Sequence, residues 1–242
     1  MAAGPAAHRF QQAIMKKYLA NTGVLLRYLP CKNRTIIDVG CGNGDTVRWL
    51  AGQGAHVTGL DSPEMLAKAR SLPPLGTEAY AEGGAQKLPF ADATADAILY
   101  QASFHHVPVE AMAAAARECR RVLKNGGQAI FVEPVYRTGA YSEITRLVED
   151  EEEIQKKAHA AIVSLADSGL AMKKEKIFYL ERRFADYVRL VEFFVEDESR
   201  REAILARARK ITEGFSAAAG VEFADFRYRS ICRLNILVKG DP

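Results

Sequence analysis

The sequence predicts one α/β domain built on a mostly parallel sheet, and three observations lead there. At 242 residues the chain has room for one such domain with or without an inserted cap, and too little for two full ones. Short β-branched or apolar runs alternate with helix-compatible stretches through its first half, the pattern of strands joined by crossover helices. Hydrophobic residues make up 48% and charged residues 26%, the mix of a globular core rather than of a disordered tract or a membrane bundle.

Residues 9–29 carry apolar side chains at near-helical spacing, which predicts one or two amphipathic helices that could form a lid. Strands are expected at 35–39, 56–60, 78–81, 97–101 and 128–133, with helices starting near Asp45, Pro63 and Pro108. Ser62 before Pro63 reads as an N-cap followed by proline at the first helical position, where its missing N–H costs nothing. The helix after Pro108 puts Val109, Met112, Ala116, Cys119 and Leu123 on one stripe and is expected to stop at Asn125, Gly126 and Gly127. Past Pro134 the pattern changes: residues 140–167 and 184–218 read as charge-rich helices around a possible extended piece at 176–180. The first of these, through about Val195, is expected to cap the carboxyl edge of the sheet. Residues 221–230 and then 231–239 alternate as strands do and are expected to close the sheet as an antiparallel hairpin. The division expected is a helical lid over 1–33, a binding core over 34–134, a cap over 135–199, and a last helix with closing hairpin over 200–242. Repeats, low-complexity tracts and flexible linkers are absent from the pattern.

Composition removes several functions. No apolar run approaches the roughly 18 to 20 residues of a membrane span. The start, MAAGPAAHRFQQ, lacks a basic segment followed by an uninterrupted apolar stretch, so a cytoplasmic protein is expected. Cys31, Cys41, Cys119 and Cys232 show neither paired spacing nor a histidine-containing metal pattern, and read as reduced thiols with no metal. The formal charge of +3 is spread among mixed signs, so no nucleic-acid partner is expected.

The chemistry concentrates in TIIDVGCGNGD, where an apolar strand ends in an acid followed by Gly40, Gly42 and Gly44. Glycines at alternate positions suit a strand-to-helix turn whose backbone touches a ligand. A dinucleotide fingerprint would want Gly or Ala where Asp45 stands. Asp45 suits the helix dipole but repels phosphate, which favours an adenosine cofactor without phosphates. Asp61 ends the run HVTGLD, where one carboxylate can accept both ribose hydroxyls. The plainer reading, that Asp61 caps the next helix, competes with Ser62 for that task.

With these residues in view the chain resembles the class I S-adenosylmethionine-dependent methyltransferases of the broad small-molecule type. The resemblance is carried by IIDVGCGNGD, VTGLDSPEMLAKAR, GGAQKLPF, ADAILYQASFHHV and RVLKNGGQAIFVEP in the family's order, over about residues 34–134, and fairly by the end of the chain. It implies a Rossmann-like, mostly parallel seven-stranded sheet with helices on both faces, an N-terminal helical lid and a helical cap after the fifth strand. It also implies that Gly40, Cys41, Gly42 and the loop through Gly44 meet the cofactor's methionine portion through backbone groups, with Asp38 supporting the loop. Asp61, with Ser62 beside it, would take the ribose, and Pro63 or Met65 would flank the adenine. Gly84 stands where many relatives carry an acid toward the adenine amino group. Ala85 could offer its N–H and Gln86 its side chain instead. Gln101 would sit by the amino group and methyl, chiefly through its carbonyl.

Methyl transfer from a sulfonium is an in-line displacement, so alignment and exclusion of water are the main tasks. His105 and His106 follow the fourth strand, and one could take a proton from the acceptor; the pair could equally bond the loop and pack the cap. Glu133 could orient an acceptor or pair with a cap arginine. Tyr18, Tyr100, Phe104, Tyr136, Tyr141, Phe178 and Tyr179 are candidates for the acceptor cavity, each also explicable as core packing. Glu149 to Glu153 followed by Lys156 and Lys157 reads as a solvated helix face. An Asn-Pro-Pro-Tyr-like segment and the carboxylates of a magnesium-dependent catechol enzyme are both missing after the fourth strand, which leaves a small organic acceptor. The partner expected is that acceptor, with no membrane, in a monomer or homodimer. The alternative is a protein that binds S-adenosylmethionine for other chemistry or as a non-catalytic scaffold.

Overall fold

The computed structural model describes residues 23–25, 27–135, 140–184, 186–195, 197–219 and 226–240. Seven strands form one sheet: β1 (Thr35–Val39), β2 (His56–Asp61), β3 (Thr77–Glu82), β4 (Ala95–Gln101), β5 (Leu123–Pro134), β6 (Leu170–Phe184) and β7 (Phe226–Lys239). Their order is β3-β2-β1-β4-β5-β7-β6. The first five are parallel, and β7 runs antiparallel between β5 and β6. The chain leaves β1 toward β2 on one side and returns to β4 on the other, so the carboxyl ends of β1 and β4 flank the crevice where open α/β sheets hold ligands.

Alternating side chains of the central strands fill two cores. On one face Ile37, Val39, Ile98, Tyr100 and Phe131 pack against Met112, Ala115, Cys119 and Val122 of α3 (Val109–Val122). On the other, Ile36, Val57, Leu99 and Ile130 pack against Val47 and Leu50 of α1 (Asp45–Gly52). Helix α2 (Pro63–Arg70) follows β2. Helices α4 (Ala140–Val148) and α5 (Glu152–Ser164) stand between β5 and β6, and α6 (Tyr187–Phe194) and α7 (Glu198–Ala219) between β6 and β7. Ile144, Leu190, Val191, Ile204 and Ala208 give α4, α6 and α7 a small core of their own.

Three expectations are corrected. The closing hairpin is not 221–230 against 231–239: β7 is one strand over Phe226–Lys239 and its hairpin partner is β6. FRYRSICRLNILVK has no Gly, Pro, Asn or Asp near Ser230 to turn the chain, while the extended piece glimpsed at 176–180 belongs to a strand of 15 residues. The helix after Pro108 ends at Val122 rather than at Asn125, because Leu123 is already extended (ψ 138) and pairs with Ala95. Gly126, at φ 74, lies where the β4–β5 register shifts. Third, Ser62 precedes α2 but makes no side-chain capping bond. The helices expected over 9–29 lie mostly outside the described residues, which begin at Gly23.

Candidate active site

The loop leaving β1 is shaped by contacts with the chain on one side and by open space on the other. Gly40 has φ 74, and a Cβ there would come within 2.5 Å of Ser103 Cβ. Ser103 occupies that space to donate its hydroxyl to the Val39 carbonyl at 2.6 Å. At Gly42, φ 57, an added Cβ would meet only Met65 Cε, at 3.7 Å. Its N–H donates to Asp61 Oδ2 at 2.7 Å, while Asp61 Oδ1 accepts from Ser62 N at 2.7 Å. The carboxylate that ends β2 therefore faces the glycine loop and keeps a free lone pair on each oxygen. Gly44 begins α1, with Asp45 in its first turn.

Asp38, the acid before the loop, is 2% exposed. Burial, and then the charge of Asp61, push its carboxyl up to about 7. Its Oδ1 has no hydrogen-bond partner among the described residues. A buried acceptor without a donor is unfavourable by about 1 to 3 kcal/mol. Two carboxylates side by side, one with an unused atom, suit a ligand that brings hydroxyls and positive charge. Cys41, between them, has its thiol pushed far up by burial and by both acids, so it is an unreactive wall.

Asp61 pairs with Glu82 at the end of β3, which places the following turn on the same edge. There Gly84 accepts from Lys87 N at 3.1 Å, Ala85 is buried, and the Gln86 amide folds so close to Gly84 that an added Cβ would stand 2.8 Å from its Oε1. That amide is the far end of a flexible, exposed side chain, so it can shift and the turn does not by itself require glycine at 84. At the end of β4, Gln101 Oε1 accepts from the Thr46 hydroxyl at 3.4 Å, tying that strand end to α1.

The loop after β4 is anchored by Phe104, which meets Tyr100 and Phe131 edge-on at 5.2 and 5.0 Å, the latter two being stacked at 4.9 Å. Anchored so, the single 3-10 turn Phe104–His106 brings its histidines to the crevice. Glu133, at the end of β5, accepts from the backbone N–H groups of Ser103, Phe104 and His105 at 3.2, 3.0 and 3.3 Å. The His105 ring nitrogen Nδ1 lies 2.5 Å from Glu133 Oε2, and Nε2 lies 3.6 Å from Glu151 Oε1. Burial would lower the basicity of this imidazole, but the bonds to Glu133 and Glu151 outweigh it and push the pKa up to about 9. At neutral pH His105 holds two protons between two carboxylates, with no free lone pair to receive another. His106 is exposed, its ring 4.1 Å from that of His105.

A cavity of about 430 Å³ opens here, walled by Gln101, Ala102 and both histidines, by β5 and β7 residues from Val132 and Ser230 onward, and by α4 and α5. The acidic run read as a solvated face is part of that wall: Glu149, Asp150, Glu151 and Glu152 all line it, and the ligating atoms of His105, His106 and Glu151 lie within 4.8 Å of one another. Tyr100, Phe104 and Phe178 are core residues, and Tyr179 is 64% exposed; none of the four lines the cavity. Tyr18, Tyr136 and the Tyr141 side chain lie outside the described residues. Ser103 and Glu151 were not legible as site residues, because each acts through a partner more than a loop away, and Gln155 and Ser230 carry no motif that marks them.

Comparison with known proteins agrees with this geometry. The family described as "Methyltransferase domain" matches residues 37–131. A demethylmenaquinone methyltransferase of Chlorobaculum parvum is 43% identical over 102 residues, 41% of this chain and 41% of that protein. The chloroplastic 2-methyl-6-phytyl-1,4-hydroquinone methyltransferase of Spinacia oleracea is 38% identical over 110 residues, 44% of this chain and 31% of that one. The chain thus matches less than half the length of these relatives. The YcgJ protein of Bacillus subtilis superposes with TM-score 0.65 at 19% identity, covering 91% of this chain and 98% of that structure, a likeness of fold. Over residues 37–131 the chain is similar to that methyltransferase domain family, and the seven-stranded sheet that carries the segment has the fold of the solved structure.

Proposed function

We propose that the protein transfers the methyl group of S-adenosylmethionine to a small organic acceptor held in the 430 Å³ cavity. The reading is carried by one juxtaposition: the Asp61 carboxylate bonded to Gly42 N at 2.7 Å, beside the unpartnered Oδ1 of buried Asp38. Asp61 keeps one lone pair per oxygen for the two ribose hydroxyls. Asp38 offers a negative atom to the cofactor's positive end, and of the loop residues Gly40, Cys41, Gly42 and Gly44 it is Gly42 that leaves the approach open. Ser62 and Met65 flank the nucleoside, with Gly84, Ala85 and Gln86 toward the adenine and Gln101 toward the methionine end. Bound there, the cofactor supplies an electrophilic methyl on a sulfonium.

The rest is alignment and dryness. Glu133 and His105 fix the turn after β4 and are positioning residues. His106 is the group placed to take a proton from the acceptor, where the acceptor has one to lose. Helices α4 and α5 close the cavity as a cap. The curated relatives named above are methyltransferases of quinone-type molecules, which supports a small acceptor without fixing which. Among the described residues no helix is long and apolar enough to cross a membrane. The remaining readings are a cytoplasmic site, a monomer or homodimer, and no nucleic-acid partner.

The test uses S-adenosylmethionine labelled in its methyl group and a panel of small phenols, hydroquinones and amines. Label appearing in an acceptor with one S-adenosylhomocysteine per methyl supports the proposal. Cofactor bound tightly with no label transferred to any acceptor favours a protein that uses S-adenosylmethionine for other ends.

A further inference from the structure

We infer that the acceptor taken into this cavity carries a protonated amine, recognised by Glu149 and Gln155. The inference rests on the methyl-transfer reading for the purpose of the cavity and adds the chemical class of its occupant. The family match ends at residue 131, before α4 and α5, so the wall that chooses the acceptor is outside the matched segment and must be read from its own residues.

That wall is acidic beyond its internal compensation. Of the four carboxylates, Asp150 and Glu152 are both paired with Arg146, and Lys156 also reaches Glu152 at 2.9 Å. Glu151 faces His105, whose charge is already met by Glu133. Glu149 has no ion pair among the described residues, yet it lines the cavity.

A second and independent observation concerns neutral groups. Gln155 donates its Nε2 to Glu151 at 3.1 Å, which fixes the amide's orientation and turns Oε1 into a pure acceptor. That Oε1 is buried and has no hydrogen-bond partner. On β7 the Ser230 hydroxyl, in a residue 6% exposed, is also buried without one. Both residues line the cavity. An amide oxygen can be satisfied only by a donor, and a nearby uncompensated carboxylate favours a donor with positive charge. A carboxylate or phosphate ligand would meet repulsion from the same wall. Val132, Ile231 and Phe194 supply an apolar side for the rest of the molecule. An ammonium on a compact hydrophobic body answers all three features.

The experiment is calorimetric titration of the full chain, saturated with S-adenosylhomocysteine, with three probes of one shape: benzylamine, benzyl alcohol and benzoate, at pH 7. Benzylamine is expected to bind at least tenfold more tightly than benzyl alcohol, and benzoate more weakly than either. Glu149→Gln and Gln155→Leu are each expected to weaken benzylamine severalfold while leaving S-adenosylhomocysteine affinity unchanged, and Glu149→Gln to leave the affinity for benzyl alcohol unchanged as well. Glu149 is exposed, so its substitution keeps the test valid even where the Gln155 variant folds poorly. Benzyl alcohol or benzoate binding as well as the amine, or no amine binding to the cofactor-loaded protein, overturns the inference. Failure of S-adenosylhomocysteine itself to bind counts instead against the methyl-transfer reading.

Discussion

His105 Nδ1 lies 2.5 Å from Glu133 Oε2, and the same carboxylate accepts three backbone N–H groups from the turn that carries the histidine. The end of β5 thus holds the loop that leaves β4 in place, and a group with the residue type of a catalytic acid or base is committed to architecture. Removing Glu133 strands four donors in a buried setting. Glu133→Ala is expected to lower the unfolding free energy by about 3 kcal/mol, read by urea denaturation. A loss below half a kilocalorie, on the order of a surface change, would contradict this anchoring of the loop by Glu133.

The same pair has a pH signature. His105 is raised from 6.5 to about 9 in the folded chain, so its contribution to stability is fully present below 6.5 and is lost as pH rises through about 9. The melting temperature of the wild type is therefore expected to fall relative to that of His105→Gln between pH 6.5 and 9.5. Parallel curves for the two proteins would show that the ring is not held as an imidazolium.

Asp38 makes the opposite kind of test. Its pKa rises from 3.8 to about 7 on folding, so it retains its proton longer in the folded chain, and its contribution to stability declines as pH rises from about 4 to 7. A positive ligand group placed beside it restores the carboxylate. Binding of S-adenosylmethionine at pH 6.5 is expected to release a fraction of a proton, at most about one, measured by calorimetry in buffers of different ionisation heat. Asp38→Asn should abolish the release. Proton uptake, or the same release in the variant, would remove Asp38 from the cofactor's positive end.

His106 is the exposed member of the pair. With an acceptor that must lose a proton, His106→Ala is expected to lower turnover by about 100-fold or more. Unchanged turnover would leave alignment alone as the source of catalysis.

Much of this was legible in the sequence because its signals are local. The strand that carries Asp38, with glycines at 40, 42 and 44 after it, and the acid closing HVTGLD each declare an element and its edge within about ten residues. What escaped depends on pairs distant in the chain. Ser103 fills the space beside Gly40, and Glu151 is 46 residues from the His105 it faces. Neither periodicity nor a turn signal reports on such meetings. The misplaced hairpin has the same origin: β6 and β7 each read as extended, but their pairing across two intervening helices is a tertiary choice that overrides adjacency.

The account depends on the seat between Asp61 and the glycine loop. Its most direct test is the dissociation constant of S-adenosylhomocysteine for the wild type and for Asp61→Ala. A wild-type complex weakened by about 1 to 3 kcal/mol in the variant, roughly 5- to 150-fold, is the predicted result. A wild type that does not bind the ligand, or a variant that binds it equally well, would contradict it.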